Sequence, residues 1–131
     1  MKNFKQYLFE SEFHDDGISI KHTHHIDGNQ IDTFFEGGGN KKYYDVHFTV
    51  NGKLDHKKNS NTHTNTKILY HITKTMHKFI NYKKPNYIKL TAYDKNKKKE
   101  IEKQKFYDKL GAHIAKKHNG NFSNSTIKLE H

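Results

Sequence analysis

KILYHITKTMHKFI, residues 67–80, decides the fold of this chain. Its apolar residues are Ile68, Leu69, Ile72, Met76, Phe79 and Ile80. Steps of one, three and four keep them on one face of a helix. Asn81 and Pro85 bound this helix, because proline lacks an N–H and biases the residue before it away from helix. In Tyr87–Tyr93, Ile88, Leu90 and Ala92 alternate with Lys89 and Thr91. That period of two predicts a strand with one buried face. A second helix is predicted over about Lys99–Lys117, where Ile101, Phe106, Leu110 and Ile114 recur at steps of five and four. A helix between two strands implies a parallel, right-handed crossover.

Working outward, Ile18–Ile26 reads as a strand with Ile18, Ile20, His22 and His24 on one face and Ser19, Lys21, Thr23 and His25 on the other. Asp27-Gly28 is a turn signal before a strand at Gln30–Phe35, and Glu36–Asn40 reads as a flexible loop. Tyr43–Val50 alternates, with Tyr44, Val46, Phe48 and Val50 on one side. Asn51-Gly52 predicts a hairpin turn with Lys53–His56 as its returning arm, and Lys57–Asn65 reads as a loop. Thr126–Leu129 adds a last strand, and Leu129-Glu130-His131 looks like the start of a vector-derived affinity tail. Together these segments predict one α+β domain over residues 11–131. Its sheet is twisted and mostly antiparallel, built around a helix–strand–helix unit.

A chain of 131 residues suits one hydrophobic core. Hydrophobic content is only 31%, so the eight Tyr and nine Phe must supply much of the buried area. No run approaches the roughly 20 apolar residues of a membrane span, and Met1–Glu10 lacks the apolar block of a secretory signal. The expectation is therefore no membrane partner. Without cysteine there is no disulfide, no thiolate nucleophile and no cysteine-based zinc site.

The formal net charge is +10, and every basic residue is Lys. A polyanionic partner such as nucleic acid is one reading. Compositional drift in an A+T-rich coding sequence is the other. Lysine lacks the guanidinium fork that reads guanine, so any contact is expected to be phosphate-directed, salt-sensitive and weakly sequence-specific. Lys83, Lys84, Tyr87, Lys89 and Tyr93 are the candidate residues, lysines meeting phosphate while a tyrosine stacks on a base. The alternative is a face covered by a helix, with lysine stems lying over it. The charge run Lys95–Lys105 reads as a solvated loop and the first turns of the second helix.

Among twelve histidines, His22, His24 and His25 are clustered. His22 and His24, two apart on a strand, point the same way. A catalytic zinc normally takes a third protein ligand, and spacing selects neither His47 nor His63 for that role. No metal site is expected; solvated or partly packed histidines are, adding positive charge below about pH 6.5.

Two resemblances add to this reading. Met1–Glu10 (MKNFKQYLFE) places Phe4, Tyr7 and Leu8 on one side of a short helix. It closely resembles the head-targeting leader of internal proteins in T-even-like tailed phages, which ends in a hydrophobic-x-Glu tripeptide. Leu8-Phe9-Glu10 matches that tripeptide, which implies cleavage between Glu10 and Ser11. An ordinary N-terminal helix packed on the sheet is the alternative. Lys105–Ala112 (KFYDKLGA) resembles the late region of the acetyl-CoA-dependent N-acetyltransferase superfamily. The resemblance implies a reduced acetyltransferase-like outline, with Tyr107 protonating the departing CoA thiolate. It also implies that Thr64, Asn65 and Thr66, at the start of the first helix, hold the pyrophosphate of acetyl-CoA. Thr64 and Thr66 stand where that superfamily has glycines, and a Cβ there hinders close phosphate approach. The outline is also similar to small phage proteins with a comparable leader. The expected function is a phage-encoded, head-packaged, basic and non-catalytic accessory protein, in the virion or host cytoplasm, without a cofactor and contacting DNA or a host target. The alternatives are an acyl-CoA-dependent N-acyltransferase and a host-enzyme inhibitor acting by protein–protein contact.

Overall fold

The computed structural model describes residues 12–16, 19–38, 42–52, 62–93 and 95–130. The leader-like Met1–Glu10, its junction with Ser11 and the returning arm Lys53–His56 lie outside the described residues. In chain order the elements are β1 (Phe13–Asp15), β2 (Ser19–Ile26), β3 (Asn29–Gly38), β4 (Tyr43–Val50), α1 (Thr62–Lys83), β5 (Tyr87–Leu90), α2 (Lys97–Lys117), β6 (Asn121–Ser123) and β7 (Thr126–Lys128). The strands form one seven-stranded sheet in the order β1-β2-β3-β4-β5-β7-β6. All its pairs are antiparallel except β4 with β5, which run parallel on either side of α1 in the chain. The architecture is thus α+β with a mostly antiparallel sheet, and the expected parallel crossover is present.

Register assigns the faces. Phe13, His22, Thr33 and Phe48 lie opposite one another across four strands, as do Phe35 and Val46, then Tyr44, Ile88 and Ile127. These residues are buried. Phe79 of α1 stacks on Phe35 with centroids 3.8 Å apart, and Tyr107 of α2 meets Phe48 edge-on at 5.5 Å. Both helices therefore cover this one face. The other face carries Lys21, His25, Phe34, Glu36, Tyr43, Asp45, His47, Tyr87 and Lys89, and no described helix lies over it.

Several boundaries differ from the sequence reading. The first helix begins at Thr62 rather than near Lys67, so the predicted loop is helical from that point. It also runs past Ile80 to Lys83. Lys84 closes it in a left-handed conformation (φ 50), donating its N–H to the Ile80 carbonyl at 2.9 Å, and the buried Pro85 prevents continuation. The second helix starts at Lys97 because Asn96 caps it, its Oδ1 accepting from the N–H groups of Lys98 and Lys99 at 3.0 and 3.3 Å. Asn119 (φ 55) ends it, and the Gly120 N–H reaches back to the Ala115 carbonyl at 2.8 Å. The apolar stripe of this helix is also shifted. Tyr107, Leu110, Gly111, Ile114 and Ala115 are buried, whereas Ile101 and Phe106 are exposed. The buried stripe is centred between Tyr107 and Ile114, which leaves Phe106 at its margin, while the step of five puts Ile101 well away from Leu110.

The strand expected over Tyr87–Tyr93 stops at Leu90. Beyond it the Gln104 side chain replaces a neighbouring strand, accepting from the Ala92 N–H and donating to the Leu90 carbonyl, each at 2.9 Å. Ala92 is still buried, as the alternation predicts. Glu36–Gly38, expected in a flexible loop, extends β3. Leu129 packs with the core: it is 2% exposed, and its N–H bonds the Asn86 carbonyl at 2.8 Å.

Gly37 sits at φ +124 in β3, and a Cβ there would run into the Tyr43 carbonyl oxygen. Gly37→Ala is expected to destabilise the fold by about 2–4 kcal/mol, from the left-handed backbone and the overpacking together. Urea denaturation measures this. A loss under about 0.5 kcal/mol would mean that the strand end shifts freely.

Candidate functional site

Alternation on β2 turns His22 and His24 toward the helical layer, and α1 meets them with a polar stripe. His71, Lys74, Thr75 and Lys78 recur at steps of three, one and three, beside the apolar stripe that packs on β3. The result is a cavity of about 290 Å³ lined by Glu12, His22, Thr23, His24, His71, Lys74, Thr75 and Lys78. The His24 and His71 rings lie 4.1 Å apart and tilted by 30°, and His22 stacks on His24 at 6.0 Å. His22 also packs against Phe13 at 4.9 Å. The Lys78 ammonium grips the Glu12 carboxylate at 2.9 and 3.1 Å. Lys74 forms no ion pair among the described residues. The Thr75 hydroxyl donates to the His71 carbonyl within its own helix at 2.7 Å.

The electrostatics of this pocket favour the neutral forms of His22 and His71. Burial lowers the His22 pKa; Glu12 opposes that, while His24, Lys78 and His71 reinforce it. His71 is lowered by burial, then by His24, Lys74 and Lys78. A separate contact joins the two helices, with His77 Nδ1 and His118 Nε2 2.8 Å apart and sharing one hydrogen. His77 is lowered by burial and by His118, Lys117 and His113. Each of these histidines binds its proton less readily folded than unfolded. Stability is therefore complete above the ordinary histidine value of 6.5 and is lost as pH falls through the lower folded values. Thermal melts are expected to superimpose between about pH 8 and 7 and to shift down between about pH 6.5 and 5, before carboxylates protonate near 4. A melting temperature unchanged between pH 7 and 5 would contradict this.

Among the described residues no group of three His, Cys, Asp or Glu side chains is arranged to hold a metal ion. Two ammonium groups beside the three rings oppose a divalent cation.

The other sequence-derived candidates are distributed over both helices and the sheet. Tyr107 is 7% exposed, packed on Phe48, and burial pushes its phenol well above the ordinary value. Thr64, Asn65 and Thr66 lie in the first turns of α1 rather than in a loop before it. Of the proposed nucleic-acid residues, Tyr87 and Lys89 lie on the open sheet face, with Tyr87 6.1 Å from Tyr43. Lys83 is at the end of α1, 3.8 Å from Asp15, and Lys84 is in the turn after it. Tyr93 is exposed beyond the strand. A more continuous basic surface lies on α2. Lys98, Lys105, Lys109 and Lys116 are all exposed, and steps of seven, four and seven place them on the outward side of the helix. Glu102 and His113 share that side.

No family model, curated protein or solved structure matches the chain. Among the described residues no helix is long and apolar enough to cross a membrane.

Proposed function

We propose that this chain is a non-catalytic, basic accessory protein that holds nucleic acid by its phosphates. The observation that carries the reading is the lysine stripe of α2, four exposed ammonium groups on one side of a single helix. At a rise of 1.5 Å per residue the stripe is about 27 Å long, most of one duplex turn. Lysines on a helix face suit a polyphosphate and carry little base information. The test is retention of the full chain on duplex and single-stranded DNA across a salt series. The proposal predicts binding that weakens steeply with salt and differs little between sequences. No retention at low salt would overturn it.

Packaging in a phage head is the narrower part of the proposal and is supported by Met1–Glu10 alone. The intact mass of the protein from its native source is expected to correspond to a chain beginning at Ser11. A chain beginning at Met1 would remove this part. The β4–α1–β5–α2 order is what supports an acetyltransferase-like outline. Calorimetry with acetyl-CoA tests an enzymatic reading of it; Thr64 and Thr66 in place of glycines argue for an absence of heat, and the buried Tyr107 is poorly placed as an acid.

A further inference from the structure

We propose that the pocket between β2 and α1 binds a phosphomonoester dianion. The site is distinct from the α2 stripe, since no α2 residue lines it. Its lining carries two ammonium groups, three imidazoles and one carboxylate, and that carboxylate is engaged by Lys78. With neutral imidazoles the pocket has a formal charge of +1, two Lys against Glu12, rising to +4 when His22, His24 and His71 are all protonated. The N–H groups come from two directions. His71, Lys74 and Lys78 descend one side of α1, and His22 and His24 stand on β2. A compact group with several acceptor oxygens and two negative charges matches that arrangement. The cavity is small, so the ligand fits as a phosphate with a short appendage.

Proton linkage gives the site a signature. His22 is faced by Glu12, His24, His71 and Lys78, and His71 by His24, Lys74 and Lys78. Burial first and the neighbouring cations after it suppress protonation in the empty pocket, and the charge of a bound dianion opposes both. Binding therefore takes up protons. The second pKa of a phosphomonoester is near 6, so affinity for the ester is expected to peak near about pH 6, falling at higher pH as His22 and His71 stay neutral and at lower pH as the ligand loses a charge. Exposed lysines alone would give no such maximum.

The test is calorimetry of the full chain with a 5′-mononucleotide at about pH 6 and 8. One saturable site is expected, about tenfold tighter at the lower pH, with a heat that depends on the buffer because protons are taken up. His71→Ala and Lys74→Gln should each weaken binding by about tenfold or more, the usual loss for one charge-assisted hydrogen bond. Lys74 is exposed, so K74Q keeps the test open if H71A folds poorly. Substituting the four stripe lysines should leave mononucleotide affinity unchanged, which separates this site from the α2 reading. A 5′-phosphorylated oligonucleotide binding more tightly than both its 5′-hydroxyl form and the mononucleotide would identify a strand end as the source. Equal affinity of mononucleotide and phosphorylated oligonucleotide would identify a free small molecule. No saturable binding at millimolar mononucleotide and pH 6, or binding unmoved by K74Q, overturns the proposal.

Discussion

Phe79→Ala is expected to cost about 3–5 kcal/mol, the usual range for truncating a fully buried phenylalanine. Phe79 has no exposed surface and connects α1 to aromatic rings on three strands. It stacks on Phe35 of β3 at 3.8 Å with planes only 9° apart, meets Tyr44 of β4 edge-on at 5.0 Å, and lies 6.4 Å from Phe13 of β1. Alanine leaves three rings facing a cavity. The neighbours cannot close it, because each is fixed by its own strand register. Domains of this size are stable by about 5–15 kcal/mol, so the variant forfeits a large share of the total. Urea denaturation with both near- and far-ultraviolet dichroism measures the loss. Phe106→Ala is the control: that ring is 39% exposed, and its removal should cost under about 1 kcal/mol. A loss at Phe79 no larger than the control would mean that α1 docks mainly through Ile72, Met76 and Ile80.

The aromatic core also explains how much of the fold was legible in the sequence. Periodicity located α1 and gave Tyr43–Val50 to the residue, because both are long enough to repeat their pattern. β1 and β6 have three residues each and repeat nothing, so only their pairing with β2 and β7 defines them. The turn between β6 and β7 uses Asn124 and Ser125 at φ 50 and 57 without a glycine, which removes the usual signal. The strand at Tyr87 ended early because a distant side chain, Gln104, occupied the next ladder position.

The pocket was half legible. His22 and His24 were placed on one strand face from alternation alone. The third ring, His71, comes from another element, and spacing along the chain selects no third histidine for that strand pair. A signal was present: His71, Lys74, Thr75 and Lys78 make a polar stripe at helical spacing that flanks the apolar one. Such a stripe next to the core face marks a helix whose edge meets a polar part of the sheet. The basic surface was missed for a related reason. The run Lys95–Lys105 reads as undifferentiated charge until the helix phase is known. That phase puts Lys98, Lys105, Lys109 and Lys116 on one side and sends Tyr107 to the other.

Replacing those four lysines by glutamine is the second large expected effect. Glutamine keeps the side-chain length and nearly the same helix propensity while removing the charge, so folding should not change. If each lysine neutralises one phosphate of duplex DNA, the slope of log K against log salt becomes less steep by about 3.6, four contacts at about 0.9 each. The wild-type chain would then lose roughly 150-fold in affinity through these contacts alone between about 50 and 200 mM salt, and the variant would not. Fluorescence anisotropy with a labelled duplex measures both slopes. The comparison variant is Lys21→Gln with Lys89→Gln, two lysines on the open sheet face, where Glu36 and Asp45 lie alongside and repel a phosphate chain. Its slope should match the wild type. The reverse pattern would move the nucleic-acid surface to the sheet, where Tyr43 and Tyr87 could stack on bases. An unchanged slope in both variants would make the charge on α2 a solvated surface and no more.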